Sequence, residues 1–84
     1  MESNISKQVK KIVAQECGLD VCAITNKTLF MAYSGIPYFN CMDVLFTIEH
    51  TFHGVHLPES DFIKYKTVGD LTKCVVKQLQ QHKM

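Results

Sequence analysis

The sequence predicts an all-α domain of four helices, with a long loop between the first two and a short third helix. Three observations predict it. Apolar residues recur at helical spacing in three separate segments. Each of these segments is bounded by residues that start or stop helices. No segment alternates apolar and polar residues as a half-buried strand does. The 84 residues suffice for one small domain, expected to span 1–84. A domain of this size buries only roughly 60% of the surface of its unfolded chain, so its core has to be economical.

The first helix is expected at about 5–17, with Ser6 placed to cap it. Val9, Ile12, Val13 and Cys17 fall on one helical face, with Lys7, Lys10 and Lys11 opposite. Gly18 is a natural C-terminal stop. The loop that follows holds the turn formers Thr25, Asn26, Ser34 and Gly35, and Leu19, Val21, Ile24, Leu29 and Phe30 are available to pin it to a core. Pro37 suits the first turn of the second helix, where its missing N–H has no partner to lose. Val44, Leu45, Ile48 and Phe52 form a core stripe along that helix, and Gly54 ends it. Phe39, Met42, Phe46, Glu49 and His53 lie near a second stripe, so the helix carries more apolar residues than one buried face needs. Leu57-Pro58 reads as an extended step. Glu59 to Tyr65 reads as the short third helix, anchored by Phe62, Ile63 and Tyr65. Thr67 with Asp70 forms a capping pair for the last helix, whose apolar stripe is Val68, Leu71, Val75 and Leu79.

Composition narrows the function. The net charge is +1, and all nine cations are lysines. Arginine forks and a strongly basic stripe are absent, which argues against nucleic-acid binding. No apolar run reaches the length of a membrane span. Met1 to Lys11 lacks the apolar stretch of a signal peptide, so a cytoplasmic protein is expected. Cys17, Cys22, Cys41 and Cys74 match no zinc spacing and are expected as reduced thiols. No Ser-His-acid order, glycine-rich phosphate loop or carboxylate pair points to an enzyme.

Several segments in order resemble the acyl carrier protein family. Val9-Lys10-Lys11-Ile12-Val13 is similar to the family's opening helix, and Gly18, Ile24, Thr25, Asn26 and Phe30 fall at its loop landmarks. Ile48-Glu49-His50-Thr51-Phe52 resembles the end of its second helix. One extra residue near His53-Gly54 restores register at Leu57-Pro58, and Thr67-Val68-Gly69-Asp70-Leu71 resembles the opening of its last helix. The resemblance implies an acyl-carrier-like four-helix bundle. It implies a serine at the start of the second helix that is esterified by phosphopantetheine, whose thiol carries an acyl chain between enzymes. It also implies acidic docking along that helix.

The chain departs from this pattern where the chemistry would sit. Pro37-Tyr38-Phe39 stands in place of the Asp-Ser-Leu tripeptide, so no cofactor is expected. Between Pro37 and Pro58 the acids are Asp43 and Glu49, and Asn40 and His50 stand where acids are usual. The expected function is a carrier-like protein of lipid or polyketide-type metabolism that binds a protein partner through the second helix. The residues expected to do so are Tyr38, Phe39, Met42, Asp43, Phe46 and Glu49. The partner class is an acyl-transfer or synthase enzyme, and the chain is expected as a monomer. The alternative is a working carrier with an unconventional attachment residue. Ser34 would need a four-residue slip that ruins the core match of the helix. Cys41 offers a thiol one turn after Tyr38, as an exposed thioester carrier or as a partly buried inert residue. His50, His53 and His56 are read as a solvated polar edge rather than as metal ligands.

Overall fold

A computed structural model describes residues 4–30, 38–58, 60 and 64–81 of the chain. Among them are three α-helices, α1 (Asn4–Cys17), α2 (Tyr38–Thr51) and α3 (Val68–Gln81), and a 3-10 turn at Val21–Ala23. No strand forms among the described residues, and one isolated antiparallel bridge links Leu29 and Thr67. The all-α class is therefore met. Most of the expected short third helix, Glu59 to Tyr65, lies outside the described residues, as do Ser34 and Pro37.

α1 is the helix against which both others pack. Its buried face is Val9, Ile12, Val13 and Ala14, while Lys7 and Lys11 stay in water. Ser6 does not cap this helix. α1 starts two residues earlier, at Asn4, and Ser6 is buried inside its first turn. Gly18 ends α1 as expected. Its φ of 67° is the left-handed conformation that glycine adopts without a Cβ penalty. The N–H of Leu19 then reaches back to the Ala14 carbonyl at 2.9 Å, closing a Schellman motif.

The loop after α1 is anchored by fewer residues than the sequence suggests. Ile24 and Phe30 are buried in the core, but Leu19, Val21 and Leu29 remain exposed. Backbone pairing holds this stretch together with the burial of Ile24 and Phe30, so the other apolar residues are not needed as anchors. Phe30 N–H donates to Lys66 O at 2.8 Å, Val68 N–H to Thr28 O at 2.8 Å, and Gly69 N–H to Asn26 O at 2.9 Å. The two N–H groups that open α3 are thereby satisfied by loop carbonyls, where a helix start ordinarily leaves them without partners. Thr67 and Asp70 complete the cap. Asp70 N–H donates to Thr67 Oγ1 at 3.1 Å, and Thr67 N–H donates to Asp70 Oδ2 at 3.3 Å.

One contiguous core joins these elements. It takes Val44, Leu45, Ile48 and Cys41 from α2, Val68, Leu71 and Val75 from α3, and Val55, Leu57 and Tyr65 from the segments between. Phe52 and Leu79, expected in the core stripes, are half-buried against it.

Candidate functional site

The rotation of α2 about its axis decides which side chains a partner can reach, and both flanks of the helix are tied down. On one flank, Asn40 Nδ2 donates to the Glu16 carbonyl at 3.1 Å, and Thr47 Oγ1 donates to Glu16 Oε2 at 3.1 Å. Asn40 and Thr47 are seven residues apart, two turns along the same edge. One residue at the end of α1 thus grips α2 twice. On the other flank, Glu49 Oε2 accepts from the Leu57 N–H at 2.7 Å and lies 3.2 Å from His56 Nδ1. Gln78 of α3 holds the same segment. Its Oε1 accepts from the His56 N–H and its Nε2 donates to the His56 carbonyl, both at 2.7 Å. The 55–57 segment therefore bridges α2 to α3.

Held in this way, α2 turns Cys41, Val44, Leu45 and Ile48 inward. At 100° per residue, Phe39, Asp43, Phe46 and His50 fall within a narrow arc directly opposite. All four are exposed. Phe39 is 80% exposed and Phe46 63%. Two aromatic rings this wet on one helix are unusual enough to require an explanation, because soluble domains seldom leave large apolar side chains in a row. The His50 ring sits 4.7 Å from the Phe46 ring at a tilt of 54°. Its Nδ1–H donates to the Phe46 carbonyl at 3.0 Å, which leaves Nε2 pointing away from the helix.

The residues singled out in the sequence divide among three places. Phe39, Phe46 and Asp43 share the exposed face. Met42 is half-buried and packs against the core, and Glu49 is engaged by the 55–57 segment. Tyr38 is the first residue of α2, and its side chain lies outside the described atoms. The structure adds three residues that the sequence reading did not place in this site. Asn40 and Thr47 orient the helix, and His50 extends the exposed stripe. The i, i+4, i+7, i+11 spacing of Phe39, Asp43, Phe46 and His50 was the available signal, masked by the equally plausible row through Met42 and Glu49.

The other candidate groups separate as well. Cys41 is fully buried rather than on the open face. Its neighbour Cys17, at the end of α1, has its thiol pushed up from 9.0 to about 11, mainly by burial, with the Cys41 thiol and the Glu16 carboxylate adding to the shift. No disulfide joins the four cysteines, and Cys22 is exposed. His50 lies tilted against Phe46, His56 faces Glu49, and His53 is exposed beyond the end of the helix. No group of three His, Cys, Asp or Glu side chains converges as a metal site among the described residues. No helix is long and apolar enough to cross a membrane among them either. No family model matches the chain.

Proposed function

We propose that this chain is an acyl-carrier-like protein, with the family's four-helix arrangement, that does not carry phosphopantetheine. It acts by binding a protein partner through the exposed face of α2, in lipid or polyketide-type metabolism. The partner class is an acyl-transfer or synthase enzyme, and the chain itself is no enzyme. The observation that carries this reading is the wet aromatic pair Phe39 and Phe46 on the helix that opens with Tyr38. In the resemblance, that helix is the docking helix and its first residue is the attachment point.

In this reading the chemistry of docking differs from the acidic docking that the resemblance implies. With Glu49 engaged at Leu57 and His56, Asp43 is the carboxylate left on the open face. Docking then relies on apolar burial around two rings, with a minor electrostatic share, and its rate depends little on salt. Burial of Cys41 counts against a thioester carried there, since the thiol has no access to an acyl donor while α2 stays packed.

The test combines loading and binding. Coenzyme A and a permissive phosphopantetheinyl transferase are added, and the intact mass is expected to stay that of the bare chain. An adduct would favour the alternative, a carrier with an unconventional attachment residue, and fragment masses would locate it. In parallel, a Phe39→Ser/Phe46→Ser double variant is expected to lose binding to acyl-transfer or synthase enzymes that the unaltered chain retains. Equal binding by both proteins would remove α2 as the docking element.

A further inference from the structure

We propose that Cys17 and Cys41 form a reversible disulfide latch, joining the last turn of α1 to the first turn of α2 when the chain meets a small-molecule disulfide such as oxidised glutathione. The inference rests on the packing of α1 against α2 and is independent of the carrier reading. Cys17 is the last residue of α1 and Cys41 the fourth of α2. The residues that precede them are joined directly, since Asn40 Nδ2 donates to the Glu16 carbonyl at 3.1 Å. The bond from Thr47 to the Glu16 carboxylate fixes the rotation of α2 along the same edge. Both cysteines meet one core, with Cys41 fully buried in it and Cys17 half-buried against it. The Cys41 thiol is among the causes that hold Cys17 protonated, so charge on one sulfur is felt at the other. A disulfide needs its two Cα atoms within about 7 Å, and two turns joined by a side chain-to-carbonyl bond permit that spacing. Cys22, by contrast, is exposed on the 3-10 turn.

The two thiols are unequally placed, and this sets the order of the chemistry. Cys17 is the one that solvent reaches, so its thiolate attacks a sulfur of oxidised glutathione first. The S–S bond of that molecule breaks, one glutathione leaves as a thiolate, and Cys17 is held as a mixed disulfide. Cys41 then gives up its proton and attacks the Cys17 sulfur from within the core, and the second glutathione leaves as a thiolate. The two protons lost by the protein end on the two leaving thiolates. The protein is thus oxidised by two electrons, and one glutathione disulfide is reduced to two glutathiones. Burial and the Glu16 carboxylate keep Cys17 protonated near neutral pH, so the latch closes slowly. Once closed, it turns the 18–40 stretch into a covalent loop. That removes conformational freedom from the unfolded chain and fastens the start of α2 to α1.

The test equilibrates the unaltered chain and Cys22→Ser, both folded, with a mixture of reduced and oxidised glutathione, and then quenches with acid and an alkylating agent. Cys22→Ser is expected to become lighter by two hydrogens with no glutathione attached, because the exposed thiol that would otherwise hold one is gone. In both proteins, fragment masses are expected to show the segment containing Cys17 bonded to the segment containing Cys41. Cys22→Ser/Cys17→Ser, with its fold checked by circular dichroism, is expected to keep its reduced mass. The oxidised Cys22→Ser chain is expected to unfold at a higher denaturant midpoint than the reduced one, and dithiothreitol should return both mass and midpoint to their starting values. A Cys17 that stays a thiol, stops at the mixed disulfide or bonds to Cys74 overturns the proposal. So does a Cys17–Cys41 bond that lowers the midpoint, since the bond would then form at the expense of the native packing of α1 on α2.

Discussion

At the scale of single residues, Gly69 makes the sharpest case. Its N–H donates to the Asn26 carbonyl, and a Cβ added there would stand 2.7 Å from that same oxygen. The obstacle is backbone, which does not swing aside as a side-chain tip does. Gly69→Ala is expected to destabilise the fold by about 1–3 kcal/mol, read as a lower denaturant midpoint with unchanged slope. Cys17 gives a second test. Its raised pKa means that the folded state holds the proton after the unfolded chain has released it. The contribution to stability is complete below about pH 9 and is lost as pH rises towards about 11. The difference in stability between the native chain and Cys17→Ser should therefore be flat below about pH 9 and shrink above it. Alkylation should label the exposed Cys22 well before Cys17 at neutral pH, because the thiolate is the reactive form. Equal labelling rates would contradict the burial of Cys17.

At the scale of elements, α2 is placed by its flanks rather than by its apolar content. Glu49→Ala removes the acceptor of the Leu57 N–H, and the expected cost is about 1–2 kcal/mol, with Glu49→Gln milder because an oxygen remains. Phe39→Ser and Phe46→Ser should each change stability by no more than about 0.5 kcal/mol, as surface substitutions do. Denaturant titration separates the two groups, and a large loss at Phe46 would mean that the ring is part of the core. The helices themselves were legible in the sequence because their signals are local. The Val9–Cys17 stripe, the Gly18 stop, the Thr67–Asp70 cap and the Val68–Val75 face all lie within a few residues of one another. The 3-10 turn at Val21–Ala23 was not legible, since a three-residue turn has no period to detect. Its start rests on the Asp20 carboxylate accepting the Cys22 N–H at 3.0 Å. The exposure of Leu19, Val21 and Leu29 was equally hidden, because it depends on the distant pairing of 26–30 with 66–69. Glu49 looked like a docking acid for the same reason. Its partner Leu57 lies past the end of the helix, and nothing local in the sequence announces the bond.

At the scale of the whole molecule, the three described helices decide which surface a partner can reach. The described residues form a central α1, an α2 with one closed and one open face, and an α3 sealed at its start by loop carbonyls. The open face carries rings and one acid where a docking carrier would display a field of carboxylates. Association through such a face should vary little between low and high salt, apart from the share owed to Asp43. A steep fall with salt, measured as the association rate against ionic strength, would point to charges elsewhere on the surface. The central claim is that this carrier-like helix bundle works by contact and holds no prosthetic arm. Intact mass spectrometry after incubation with coenzyme A and a permissive transferase measures that directly. The expected result is the unmodified 9.6 kDa chain. One phosphopantetheine bound per chain, at any side chain, would contradict it.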